Sequence, residues 1–597
     1  MPYTSLTFRP GMTRIATPYT NEGSWYDCDK VRFRDGLPQP VGGWQSEVLI
    51  GELLGICRTK LSWRSNGGVT YEAFGTTEGL WVNADGTLYD ITPIRLQFAS
   101  KVGPLSVTSG SNELTITTTS PEARPGDRVE LVGYDLTASG ISDAALNATH
   151  VITSVPDANS VTVILSESAT ATVVSGGGTG DVNFLIGPGA EGTVFGNGWG
   201  AGPYGLSTYG TPRTDFVAIS RARVWSLDTW GEILVGTYHD GTPIKWDPTN
   251  DDLLVRASFI TNAPKGDLLL VTSPDRHLVL FGTQLPGETD VSRLAIRWCD
   301  QENFTEWTVT ATTTAGSQLL SSGSEVVCAQ ASSRQNMIWT DASITSMQFT
   351  GPPYTFGFNR LDRTPEIVSR HAAVEVDGTL LWMALGAFYV YDGVARVLPC
   401  PIKDVVFDDY NLDQQDKFFG VSNQAFQEVW WFYVSAEATE VDRYVVFNYA
   451  SQDWTFGTLA RTAAEDAGIN ATPTAIDSVN TKFQHEVGLS ADGVPLNAYI
   501  ESAPFDISEG DQMMYVRGIV PDARMVGSDT MEITLKGQRY PQAVSTSYGP
   551  FTISDTTDRV RTRLRVRQVV FRYESNSTSL FWQGGKPRLD VKPQGKY

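Results

Sequence analysis

A chain of 597 residues carrying 67 acidic and 45 basic side chains, a formal net charge of −22, has length for about three or four domains and more than one core. That balance argues against a free-standing nucleic-acid binder, whose affinity comes from neutralising phosphates. An acidic channel wall would still let a polyanion slide past without sticking, and an acidic surface equally serves to keep a large β-protein soluble.

The five cysteines, Cys28, Cys57, Cys299, Cys328 and Cys400, stand singly with no Cys-Xaa-Xaa-Cys. They predict neither a zinc site nor a disulfide framework and fit assembly in a reducing cytoplasm. No secretion signal follows Met1-Pro2-Tyr3-Thr4, and no apolar run approaches the ~20 residues of a membrane span, so stable membrane insertion is not expected.

Residues 1–50 are dense in Arg, Pro, Gly and Trp. In Val31-Arg32-Phe33-Arg34 apolar and basic residues alternate, which predicts a half-buried strand with a basic face, turned by Asp35-Gly36. Residues 51–95 begin a regular strand grammar, with Val69 to Gly75 followed by Leu80 to Asp90, where Asp85-Gly86 supplies the positive φ of a tight hairpin. Between 96 and 187 aromatics almost vanish and Thr, Ser, Val, Gly and Ala dominate. The short strands there predict a small β-sandwich inserted into the first part of a larger β domain. Gly176-Gly177-Gly178-Thr179-Gly180 lacks the strand, Lys-Ser or Lys-Thr and helix of a phosphate loop and reads as a flexible turn. In 188–215 glycines interleave with Trp199 and Tyr204; this segment is either a linker or an aromatic loop against a neighbouring subunit.

From 216 to 460 short apolar runs, each closed by Gly, Asp, Asn or Pro, read as antiparallel hairpins. Sheets built from them need their edges closed, and a β-propeller of four-stranded blades does this radially. Leu380 to Leu385 and Ala387 to Tyr391 fit two inner strands of one blade, joined at Gly386. Stacked β-sandwiches are the alternative. Residues 461–479 are small and polar without alternation and read as a boundary or exposed loop. The rest, to 597, is a strand-rich C-terminal domain. The fold class is thus all-β: a β-propeller core with an inserted β-sandwich and a C-terminal β-rich domain.

Within that last domain Arg559, Arg561, Arg563, Arg565 and Arg567 occupy every second position. Alternation places the five guanidinia on one face and Val560, Thr562, Leu564 and Val566 on the other. Like charges so stacked call for acidic or phosphate partners, which makes the row the leading interface candidate. The competing expectation is a solvated face beside a carboxylate-bearing strand such as Asp506 to Asp511.

Catalytic groups do not converge in the sequence. The histidines, His150, His239, His277, His371 and His485, are far apart, with no His-Glu-Xaa-Xaa-His and no Gly-Xaa-Ser-Xaa-Gly. Asp408-Asp409, Asp251-Asp252 and Glu465-Asp466 have the composition of glycosidase carboxylates or calcium ligands, but such pairs more often form solvated turns. Trp382, Trp430 and Trp431 sit inside strand patterns and read as core. No enzyme activity, cofactor or metal is expected.

Two stretches carry a family likeness. Near the start are Trp25, an acidic residue shortly after it, the strand Val31-Arg32-Phe33-Arg34, then Gly36-Leu37-Pro38 and Gly42-Gly43-Trp44. At the end Ser579-Leu580-Phe581-Trp582-Gln583-Gly584-Gly585-Lys586-Pro587-Arg588-Leu589-Asp590-Val591-Lys592-Pro593 supplies an aromatic strand, a glycine turn and a Pro-Arg-Leu-Asp tail. Together they resemble tail proteins of bacteriophages, particularly the nozzle or tail-hub proteins of short-tailed phages. The resemblance implies a structural virion protein, assembled in the host cytoplasm and located in the virion tail. It implies a homo-oligomeric, hexameric ring below the portal and adaptor, with fibres or spikes at its side and double-stranded DNA passing through its lumen without specific binding. It makes 1–50 a docking segment and adds Trp25, Arg32, Arg34 and Trp44 to the interface candidates. A receptor- or carbohydrate-binding tail protein and a propeller glycoside hydrolase are the alternatives.

Overall fold

The structure is a computed structural model describing residues 3–195, 219–249, 252–332, 335–351, 354–361, 366–507, 510–541 and 543–595. Regular structure is almost entirely strand; among the described residues the α-helices are Asp143–Leu146 and Lys403–Phe407. The chain divides into two compact units, Leu49–Leu319 and the pair of segments Met1–Val48 and Leu320–Tyr597.

Leu49–Leu319 contains three four-stranded antiparallel meanders of the propeller-blade type. The first runs through Cys57–Arg64, Thr70–Thr76, Leu80–Ala84 and Thr87–Asp90. Its last turn is made by Asp85 at φ 52° and Gly86 at φ 84°, the two left-handed residues that match a hairpin turn to the strand twist. The other two meanders span Ser226 to Phe259 and Leu268 to Leu319. Trp63, Trp225 and Trp246 are buried among Leu80, Val82, Leu234 and Ile244, so the aromatic strands of the sequence form a core.

An eight-stranded arrangement from Ile94–Val102 to Thr179–Leu185 interrupts these meanders in sequence. Its strand Thr149–Asp157 pairs with Arg128–Val132 through its first residues and with Ser160–Ile164 through the remainder. It thereby passes from one sheet to the other and closes the two around Leu105, Leu114, Ile116, Val129, Leu131, Val161 and Val163. A core filled mostly by β-branched and leucine side chains accounts for the scarcity of aromatics in this stretch. The 176–180 run is a tight connection between Val173–Gly176 and Thr179–Leu185, with Gly177 at φ 94° and Gly178 at φ 76°.

The other unit contains three more meanders, Val326 to Leu361, Ala373 to Leu398 and Phe419 to Thr458. In the middle one Thr379–Met383 and Phe388–Tyr391 are the inner strands, as their sequence pattern predicts. Trp382, Trp430 and Trp431 are buried; Phe388 lies 4.9 Å from Trp431 and 4.8 Å from Trp454 between ring centres. Two further sheets follow. The larger joins Ala463–Glu465, Thr474–Ile476, Lys482–His485 and Trp44–Glu47 to Val494–Ser502, Gln568–Ser577, Met531–Gln538 and Thr546–Ile553. Residues 461–479 are therefore not simply a loop: they supply the edge strand Ala463–Glu465 and its inner neighbour Thr474–Ile476, each three residues long, too short for alternation to register in sequence. The smaller sheet has the order Thr4–Ser5, Arg588–Gln594, Met513–Val520 and Val560–Val566, bringing both chain ends together.

Candidate functional site

The edge strand Val560–Val566 alternates strictly, with Val560, Thr562, Leu564 and Val566 buried and Arg561, Arg563 and Arg565 exposed. Its one partner strand is Met513–Val520, which in turn pairs with Arg588–Gln594. Residues directly opposed across a ladder share a face. Tyr515 stands opposite both Arg565 and Lys592, and Gly518 opposite both Arg561 and Asp590. The outer face therefore collects Arg561, Arg563 and Arg565 from the edge, Arg517 from its neighbour, and exposed Arg588 and Lys592 from the next strand, with Arg559 adjoining.

In these four strands the one acidic residue is Asp590. It accepts from Arg517 Nη2 at 2.6 Å and from Arg559 Nη2 at 2.7 Å. Hydrogen bonds from Arg517 hold Asp590 below the usual carboxylate range, and the charges of Arg517 and Arg559 add to this. Arg561, Arg563, Arg588 and Lys592 have no carboxylate at ion-pair distance among the described residues. The strand laddered to the row is Met513–Val520, and Asp506 accepts a hydrogen bond from Tyr19. Arg567 lies past the strand end and is half-buried, its backbone N–H on Gln538.

Arginines two apart on a strand are separated by about 6.6 Å. Neighbours then repel by about 0.6 kcal/mol in water and about 2.5 kcal/mol at an effective dielectric near 20. The row is tolerable while solvated and costly once covered by anything without negative charge. Tyr515, Arg517, Arg561 and Arg563 line a cleft of about 760 Å³ whose other wall is Tyr548 and Phe551 of the edge strand Thr546–Ile553. Such a cleft suits an acidic polypeptide or polyanion, bound by bidentate guanidinium contacts with aromatic packing.

The other sequence candidates are placed differently. Trp25, 2 % exposed, packs its ring 4.5 Å from Phe8, and Trp44 lies beneath Arg461 and beside His485. Arg32 is 2 % exposed; its Nη1 and Nη2 donate to Glu486 at 2.9 and 2.5 Å, and its Nε lies 3.1 Å from Glu428. Burial opposes the charge of Arg32, yet the two carboxylates outweigh it and raise its pKa. All three are buried in the described chain: Arg32 and Trp44 beneath segments around 426–432 and 461–486, far along the chain, and Trp25 beside Phe8 and the strand Val494–Ser502. Arg34 is exposed at the hairpin end, where its carbonyl accepts from Gln583 Nε2 at 3.5 Å. Trp199 and Tyr204 lie outside the described residues.

Sequence reading did not bring together His239, Asp240 and Asp267, whose ligand-type atoms cluster. Arg293 donates to Asp267 at 2.6 Å and Asp240 at 2.8 Å, which offsets one of the two carboxylate charges with a fixed cation. His277, fully buried, lies between Asp275 at 2.8 Å and Thr314 Oγ1 at 3.1 Å. Thr314 gives its single hydroxyl proton to Asp300 at 2.7 Å, so this line does not form a nucleophile and base. Of the acidic pairs, Asp409 faces Arg443 at 3.4 Å while Asp408 is exposed at the end of Lys403–Phe407.

No protein-family model matches the chain, and no curated protein matches it. Among solved structures it is similar to the N-terminal domain of Nup159, at 10 % identity and a TM-score of 0.28, covering 46 % of this chain and 78 % of that one. The phage phi92 endosialidase matches at 10 % identity and a TM-score of 0.14, with 85 % and 64 % covered. The extracellular domain of the one-component system BT4673 from B. thetaiotaomicron matches at 7 % identity and 0.24, with 96 % and 81 % covered. Identities and scores this low assign no function.

Proposed function

We propose that this chain is a structural subunit of a short-tailed bacteriophage tail, a nozzle or hub ring that continues the DNA exit channel beneath portal and adaptor and retains or passes the genome during ejection. The observation that carries the reading is that the two stretches bearing the family likeness fold as one piece. Upstream of the first stretch, Thr4 pairs with Leu589, and the N–H of Leu6 donates to Pro587 at 2.8 Å. The hairpin Val31–Arg34 and Leu37–Pro40 lies against Phe581–Gly584. The cationic face shares the strand Arg588–Gln594 with this terminal module. In this role acidic side chains line the lumen so that DNA does not adhere, while the arginine face docks an acidic neighbour in the particle.

The test is gold-labelled antibody imaging of intact particles. Label on the tail below the portal vertex is the expected result. Label confined to peripheral fibres, or absent from particles, would replace this reading with a receptor- or carbohydrate-binding protein or an enzyme.

A further inference from the structure

On the face described above Arg561, Arg563, Arg588 and Lys592 have no carboxylate at ion-pair distance among the described residues, and Asp590 is already held by two arginines, so an occupant must bring negative charge. The cleft beside it is walled by two edge strands, Val560–Val566 and Thr546–Ile553, each paired on one side only within its sheet among the described residues. A symmetric pairing of two copies through this face would set arginine against arginine, so self-association has to be heterologous, with a different surface of the second copy.

The same unit carries such a surface. The 408–417 segment is laced to the 434–440 turn, with Asn411 N–H donating to the Val434 carbonyl at 2.9 Å and Asn411 Nδ2 to the Ala438 carbonyl at 2.9 Å. Asp409 is taken by Arg443, and Glu440 by Lys417. Asp404, Asp408, Asp413 and Glu437 remain exposed, with no cation at ion-pair distance among the described residues.

We infer that the cationic face of one copy takes the 404–416 and 437 acidic surface of the next, a head-to-tail contact that propagates around a ring. This rests on the ring reading above. Net repulsion between two acidic chains is screened beyond about 8 Å at physiological ionic strength, so local complementarity decides the contact. Heterologous contacts of this kind close into rings when the rotation per subunit divides a full turn.

Sedimentation velocity on the purified full chain tests it with two variants, Arg561→Glu with Arg563→Glu and Arg565→Glu, and Asp404→Lys with Asp408→Lys, Asp413→Lys and Glu437→Lys. The wild type is expected to assemble in a concentration-dependent way. Each variant alone should sediment as a folded monomer with an unchanged far-UV spectrum. Mixed together they should reassemble, because each then offers the complement of the other; that recovery also excludes misfolding. The inference is overturned if the wild type stays monomeric, if either variant assembles normally, if the mixture stays monomeric, or if the face retains duplex DNA in place of a second copy. Particle labelling is independent of all these outcomes, so a failed contact and a failed tail assignment are told apart.

Discussion

Arg32 and Glu428 face each other at 3.1 Å with 2 % of each side chain exposed. Glu428 also accepts from Trp430 Nε1 at 2.9 Å, and Arg32 holds Glu486 through both terminal nitrogens. Burial raises the pKa of Glu428, with Arg32 working against that shift. Removing the arginine leaves two carboxylates without their cation, so Arg32→Ala is expected to cost about 3–5 kcal/mol in urea unfolding. Arg32→Lys recovers only part of it, since one ammonium cannot reach both carboxylates in fork geometry. A loss under about 1 kcal/mol for the alanine variant would mean that the pair is solvated in solution.

The same residue marks where the sequence stops being informative. Alternation in Val31-Arg32-Phe33-Arg34 sorts the residues into two faces, but it cannot report that one face is then covered by residues 428 and 486. The arginine row at 559–567 has the same alternation and is legible because only its apolar face is covered. Asp85-Gly86 and Asp35-Gly36 are legible for a local reason: φ values of 52° and 84°, and of 52° and 76°, are what those residue types permit. The strands at Ala463–Glu465 and Thr474–Ile476 carry no such local mark. Arg517, Arg588 and Lys592 joined the cationic face only through strand register, which no single stretch of sequence contains.

Asp228 predicts a pH dependence. Its carboxylate accepts from the N–H groups of Val271 at 2.8 Å and Thr229 at 2.7 Å, but burial pushes its pKa up to about 6 from 3.8. The folded state thus prefers the protonated acid. The stability this group contributes is complete below the unfolded pKa and is lost as pH rises through about 6. Asp228→Asn removes this titration but keeps only one of the two acceptor oxygens, so the sign of the difference is not fixed; its stability relative to wild type should nonetheless rise by about 1–2 kcal/mol between pH 4 and pH 7.5. Parallel melting curves across that range would refute this if the gap stayed constant.

The five cysteines are expected to be silent in the native chain. Cys28, Cys57, Cys299 and Cys328 are at most 2 % exposed. Burial pushes the thiols of Cys57, Cys299, Cys328 and the half-buried Cys400 up to about 12, and raises Cys28 as well. The thiolate is the reactive species, so a disulfide reagent at pH 8 should label none of them on the timescale of minutes and all five in concentrated guanidinium. Rapid native labelling at any one of them would show local opening around it.

Asp590 tests whether the cationic face acts as one field. It is the acidic residue of those four strands and ties Arg517 to Arg559. Asp590→Asn keeps the shape and removes the charge. Stability should fall by about 1 kcal/mol, because two half-exposed charge-assisted contacts are weakened. Retention on a heparin column should nonetheless rise to higher salt, since the uncompensated arginines now add their field to Arg561 and Arg563. Arg563→Ser should shift retention the opposite way with little change in stability, because its side chain is exposed and contributes charge more than packing. If the two variants elute with the wild type, the arginines are isolated surface charges and the face has no collective attraction for an acidic partner.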